Sequence, residues 1–236
     1  MTERYRVVVA FEAAADAAAA TRQAIELAEQ LRAELFGVFV EEVEALRLAA
    51  LPFATLVDRS GRTSPLRPAT VEAGWKSAAS RAESNLSRAA DRARIPASFG
   101  VARGRLLGAL RSLSQGRDLI LLGETRARRA RPGPVVVIAR SRDQALGLLP
   151  IAEALGGPGP LRVVLPPDGD EPPLSGSGKP VAVQESEPFD AEAIGALLAP
   201  SGARLVLIAA DAPWLDEGSL PELRRRVGCP LVLVRT

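Results

Sequence analysis

The stretch LILLGETRARRARPGPVVVIAR, Leu119–Arg140, decides the fold. An apolar run ends in Gly123, an arginine-rich loop follows, and a second apolar run, VVVIA, begins after Pro134. Short apolar runs bounded by glycine and proline are what strands buried on both faces look like. In an α/β protein, a strand that ends in glycine and opens into a polar loop is where phosphates are held. PVVVIA, Pro134–Ala139, either closes the unit before it or opens a new one, and the flanking sequence favours the second.

Upstream, RVVVAF (Arg6–Phe11) is a β-branched run that reads as a buried strand. A long helix is expected from about residue 13 to 34, with Ala24, Leu27, Ala28 and Leu31 at helical spacing. FGVFVEE (Phe36–Glu42) is a second strand; the stretch after it has no clear period and ends in a Ser-, Gly- and Pro-containing loop, Asp58–Pro68. A second long helix is expected over residues 70–94, then a third strand, SFGVARG, a short helix from Leu106 to Ser114 and a fourth strand, DLILLG. Downstream the pattern restarts with PVVVIA, a helix interrupted or kinked at Pro150, LRVVLPP, the loop Asp168–Lys179, PVAVQE, a helix from about Phe189, ARLVLIAAD, one or two short helices and CPLVLVRT. Strands alternating with helices imply a doubly wound, Rossmann-like parallel sheet covered on both faces. The recurrence pairs RVVVAF with PVVVIA, FGVFVEE with LRVVLPP, SFGVARG with PVAVQES and DLILLGE with RLVLIAA, so a duplication is expected, residues 1–133 and a shortened 134–236.

Composition removes several functions. The chain has no histidine, hence no Ser-His or Cys-His pair and no imidazole metal ligand. Its net charge of +2 gives little long-range attraction to nucleic acid, and only Lys76 and Lys179 among its basic residues are lysines, as in proteins of GC-rich bacteria. Cys229 is the single cysteine and is read as core packing beside the last strand. The N-terminus enters a strand at once with no secretory leader, and no apolar run is long enough to span a membrane, so a cytoplasmic protein is expected.

Two stretches carry a resemblance. VARGRLLGALRSLSQGRDLILLG, Val101–Gly123, is similar to the third strand, turn, helix and fourth strand of the universal stress protein family, and GCPLVLVR, Gly228–Arg235, resembles its last strand. The similarity extends over nearly the whole chain as a tandem form. It implies an adenine-nucleotide-hydrolase-like α/β sheet, often dimeric through its last strand, and in many members ATP or AMP binding. An acidic residue ending the first strand and a G-x2-G-x9-G-[S/T] loop after the fourth would serve that binding. This sequence departs from both. The first strand ends in Phe11, with Glu12 and Ala13 after it; the repeat has Ala139, Arg140 and Ser141. Gly123 is kept, but Arg126 and its neighbours stand where the second glycine belongs, and the third has no counterpart.

The expected function is therefore a non-catalytic universal-stress-protein-like binding or regulatory protein with a degenerate ATP site, acting through protein contacts or self-association. The alternative keeps ATP, AMP or another anionic metabolite near Phe11, Val40, Gly104, Gly123, Thr125, Arg126 and Arg128, since arginine holds phosphate bidentately without glycine. That class includes slow ATP hydrolysis. No catalytic residue, metal site or required cofactor is assigned. Glu41, Glu42 and Glu44 read as a charged strand end, Asp168, Asp170 and Glu171 as an acidic loop, Trp75 and Trp214 as packing, and Asp118 as a local cap or pair. The readings separate by placement. A retained site aims Arg126 or Arg128 into the crevice at the sheet's carboxyl edge, a degenerate one puts Phe11 in the adenine position, and an enzyme brings carboxylates together there.

Overall fold

A computed structural model describes residues 5–12, 17–57, 60–113, 116, 118–122, 133–156, 159–167 and 181–235. Its elements are β1 (Arg6–Phe11), α1 (Ala17–Leu31), β2 (Glu34–Glu42), α2 (Val43–Ala49), β3 (Thr55–Val57), β4 (Thr63–Pro65), α3 (Pro68–Ala93), β5 (Ala97–Gly104), α4 (Leu106–Leu113), β6 (Asp118–Leu122), β7 (Val135–Ile138), α5 (Arg142–Gly156), β8 (Leu161–Leu165), β9 (Val181–Glu185), α6 (Ala191–Leu198), β10 (Leu205–Ala209), α7 (Ser219–Val227) and β11 (Leu231–Val234).

The expected α/β sheet forms as one nine-stranded sheet in the order β5-β2-β1-β6-β11-β10-β7-β8-β9. All neighbours are parallel except β6 and β11, which run antiparallel with Leu122 opposite Leu231 and Leu119 opposite Val234. β7 pairs with β8 and β10, so PVVVIA starts the second strand series and does not close the first. The order β5-β2-β1-β6 recurs as β9-β8-β7-β10, and β11 fills the slot beside β6 where a fifth strand of the first series would lie. Because the seam is antiparallel, the carboxyl ends of the two series lie on opposite edges of the sheet.

Both faces are covered, which is why the central strands are apolar at nearly every position. On one face Val7, Val9, Phe11, Leu119 and Leu121 pack with Ala24, Leu27 and Ala28 of α1, with Trp75, Ala79, Ala82, Leu86 and Ala90 of α3, and with residues of α5. On the other, Val8, Ala10, Ile120 and Leu122 pack with Leu107 and Leu110 of α4, Ile194 of α6 and Leu220 and Leu223 of α7. The buried α3 residues keep the spacing of a helical stripe. Pro68 opens this helix, where its missing N–H costs nothing, and Arg94 ends it in the left-handed conformation at φ 57°. Asp190 caps α6, accepting a hydrogen bond from the Ala193 N–H at 2.8 Å. Trp75 and Cys229 are both core residues, and Trp214 meets Phe189 edge-on at 6.2 Å.

The structure corrects two expectations. α5 runs unbroken through Pro150, carried by burial of Leu148, Leu149, Ile151 and Ala152 on its sheet face. The stretch after β2 is not irregular, since it forms α2 and the β3–β4 hairpin. Beyond any local role, Asp118 has a partner the sequence did not point to: its carboxylate is gripped by Arg6, 112 residues away, with Nε at 2.9 Å from Oδ1. Among the described residues no helix is long and apolar enough to cross a membrane.

Candidate functional site

The carboxyl ends of β1 and β2 meet the start of α4 beside the point where the strand order reverses between β1 and β6. Open α/β sheets bind ligands at such a switch point. A cavity of about 210 Å³ lies there, lined by Glu12, Glu42, Leu106, Glu217, Leu220, Pro221 and Arg224. The last four come from the β10–β11 connection of the second series, so the crevice of the first series is walled by the other end of the chain.

The charged groups on this wall are committed. Arg224, whose side chain is only 10% exposed, donates from Nη1 to Glu12 Oε1 at 2.7 Å. Glu217 accepts the Gly108 N–H at 2.9 Å and so serves the first turn of α4, where the helix dipole favours a negative group. Arg111 of α4 donates to the carbonyls of Ala210 and Leu215 at 3.1 and 2.9 Å, holding the same segment in place. Glu41 pairs with Arg103 at 2.8 Å, and Glu44 with Arg47 and Arg105 at 2.9 and 3.3 Å.

Glu42 is the carboxylate under stress. The residue as a whole is exposed, yet its carboxyl is held above the usual range, first by partial loss of solvent and then by the charges of Glu12, Glu217 and Glu44, with Arg105 opposing. A carboxyl raised in the folded state costs stability when ionised, above its folded pKa. That cost fades as pH falls through the folded value and is gone below the unfolded one. Glu42→Gln is therefore expected to unfold at a modestly higher temperature than wild type at neutral pH, the gap closing toward pH 4 in thermal melts. A variant less stable than wild type at neutral pH would mean that the charge is favourable where it stands.

Three of the residues singled out from sequence are placed by the structure, and they do not converge as ligand contacts. Phe11 is 1% exposed and turns into the α1–α3 face, its ring 6.0 Å from Phe99. Val40 is equally buried on the opposite face, against α4. Gly104 ends β5 with φ 158°. Gly123, Thr125, Arg126 and Arg128 lie outside the described residues, as do Asp168, Asp170 and Glu171. The reading from sequence missed Glu217, Arg224, Leu220 and Pro221. The repeating leucines and arginines of SLPELRRRV mark an amphipathic helix, but nothing local says that Arg224 reaches Glu12, 212 residues away.

Among the described residues the equivalent point of the second series carries a more exposed set of charges. Ser141 Oγ accepts the Gln144 N–H at 3.3 Å, Gln144 donates to Asp211 at 3.3 Å, and Arg140 pairs with Asp211 at 3.4 Å, both side chains more than half exposed. Among the described residues no group of three or more carboxylates or thiols is placed to hold a metal ion. No protein-family model matches this chain, and no curated protein matches it.

Proposed function

We propose that the chain is a non-catalytic binding or regulatory protein of universal-stress-protein type whose first nucleotide crevice is occupied by its own second half. The observation that carries this reading is the part-buried Arg224–Glu12 pair in a crevice lined by three glutamates. Among the described residues the only cation in that lining is already matched to a carboxylate, so the field those residues set disfavours a phosphate chain. The cavity, about 210 Å³, is also below the roughly 300–1,000 Å³ typical of small-molecule sites. Glu12 and Glu217 are engaged in holding α7 and α4, which leaves Glu42 without a second group for acid–base work among the described residues of the lining.

Thermal unfolding with millimolar ATP or AMP and magnesium tests it. A ligand at about 100 times its Kd stabilises by about 2.7 kcal/mol, roughly 5–10 °C for a chain of this size. The expected result is no rise. A clear rise overturns the proposal, and its loss in an Arg126→Ala, Arg128→Ala double variant would assign binding to the arginine loop instead.

A further inference from the structure

The β3–β4 hairpin stands apart from the main sheet as a two-stranded sheet of its own. Every residue of both strands is exposed. A lone hairpin is marginal in water, and this one displays apolar side chains. Phe53 is 76% exposed, Val57 60%, and Leu48, Leu51 and Leu56 between 41% and 58%. Five large apolar side chains exposed within residues 48–57 point to an interaction surface.

The hydrogen-bond phase of the hairpin says which edge is open. Leu66 donates to the Ala54 carbonyl at 2.9 Å, and the register places Thr55 opposite Pro65, Leu56 opposite Ser64 and Val57 opposite Thr63. Bonded and non-bonded pairs alternate in an antiparallel ladder, so Leu56 bonds inward to Ser64, whereas the N–H and C=O of Thr55 and Val57 turn outward. On β4 the outward positions are Thr63 and Pro65, and a proline there has no N–H to offer, a usual way of blunting an edge. The β3 edge carries no such guard.

We infer that β3 pairs antiparallel with β3 of a second copy of this chain, about a two-fold axis at Leu56, giving a four-stranded sheet across two molecules. Thr55 of each copy then exchanges main-chain hydrogen bonds with Val57 of the other, and the two Leu56 side chains face each other. The segment Phe53–Val57 contains no charge, so nothing on it repels a copy of itself. Arg62 and Arg67, which flank β4 in sequence, are exposed and lie outside the paired segment. The self-matching pattern is what favours a second copy over an unlike partner, because an isologous contact requires each patch to complement itself. None of the residues of this surface lines the crevice, and the inference holds whether or not a nucleotide binds.

The test uses the full chain. Leu56 and its copy form a non-hydrogen-bonded pair, with Cα atoms about 4.5 Å apart, inside the range a disulfide spans. Leu56→Cys should therefore give a covalent dimer under mild oxidation. Ser64→Cys should not, since three strand spacings of about 4.8 Å separate it from its copy. The native Cys229 is buried and does not interfere. In sedimentation velocity the unmodified protein should dimerise as its concentration rises to high micromolar. Val57→Pro, which places on β3 the guard that Pro65 gives β4, should weaken the dimer by about tenfold or more with its circular dichroism unchanged. A protein monomeric throughout, a dimer indifferent to Val57→Pro, or equal cross-linking at positions 56 and 64 would each overturn the pairing.

Discussion

Replacing Arg6 by alanine is expected to cost about 3–5 kcal/mol, more than any surface change to this protein. The guanidinium donates from Nε to Asp118 Oδ1 at 2.9 Å and from Nη2 to Oδ2 at 2.5 Å, a bidentate grip on a side chain only 4% exposed. It also donates to the Leu113 carbonyl at 3.2 Å and lies over the Phe36 ring at 5.1 Å. One side chain thereby ties the start of β1 to β6, to the end of α4 and to β2. Asp118 in turn gives its carbonyl to the Arg235 N–H at 3.3 Å, at the seam between the two strand series. Without Arg6 the carboxylate remains buried and loses the guanidinium that grips both its oxygens. Arg6→Lys supplies charge without the planar fork and should fall between. Replacing both partners by leucine should recover much of the loss, since the uncompensated charge goes too. Urea unfolding of the four proteins measures this; a loss below about 1 kcal/mol for Arg6→Ala would place the pair with ordinary surface bridges.

Phe11→Ala is expected to cost a similar amount, about 3–5 kcal/mol, and to lower the melting temperature by on the order of 10 °C. The ring is enclosed at 1% exposure among the residues of the α1–α3 face. Truncation leaves a cavity between β1 and α3 that rigid neighbours such as Trp75 and Phe99 fill only in part. A ring serving as one wall of a ligand site would behave otherwise, with little loss of stability in the free protein. A melt within a degree or two of wild type would therefore contradict the core assignment.

The sequence carried most of the scaffold. RVVVAF, DLILL, VVVI, LRVVL and LVLV read as strands because burial on both faces makes nearly every position apolar. α3 read as a helix because its one buried face repeats every three or four residues. The hairpin β3–β4 did not read as strands for the opposite reason. Exposed on all sides, it has no alternation of apolar and polar residues to betray it. Pro150 misled because a proline's local preference against helix is weaker than the burial of the residues around it.

What the sequence determined by itself is therefore periodicity: the alternation of strand and helix, its restart at Pro134, the buried place of Phe11 and Cys229, and the departure from a glycine phosphate loop. What only the tertiary structure decided is which distant charges meet. The antiparallel seam of β6 and β11 brings the β10–β11 connection over the crevice of the first series, setting Arg224 against Glu12 and Glu217 against α4. Arg6 finds Asp118 through the pairing of β1 with β6. Local patterns record how much of each residue is covered, but the identity of a partner a hundred or more residues away is set by sheet order and register, which no short stretch contains.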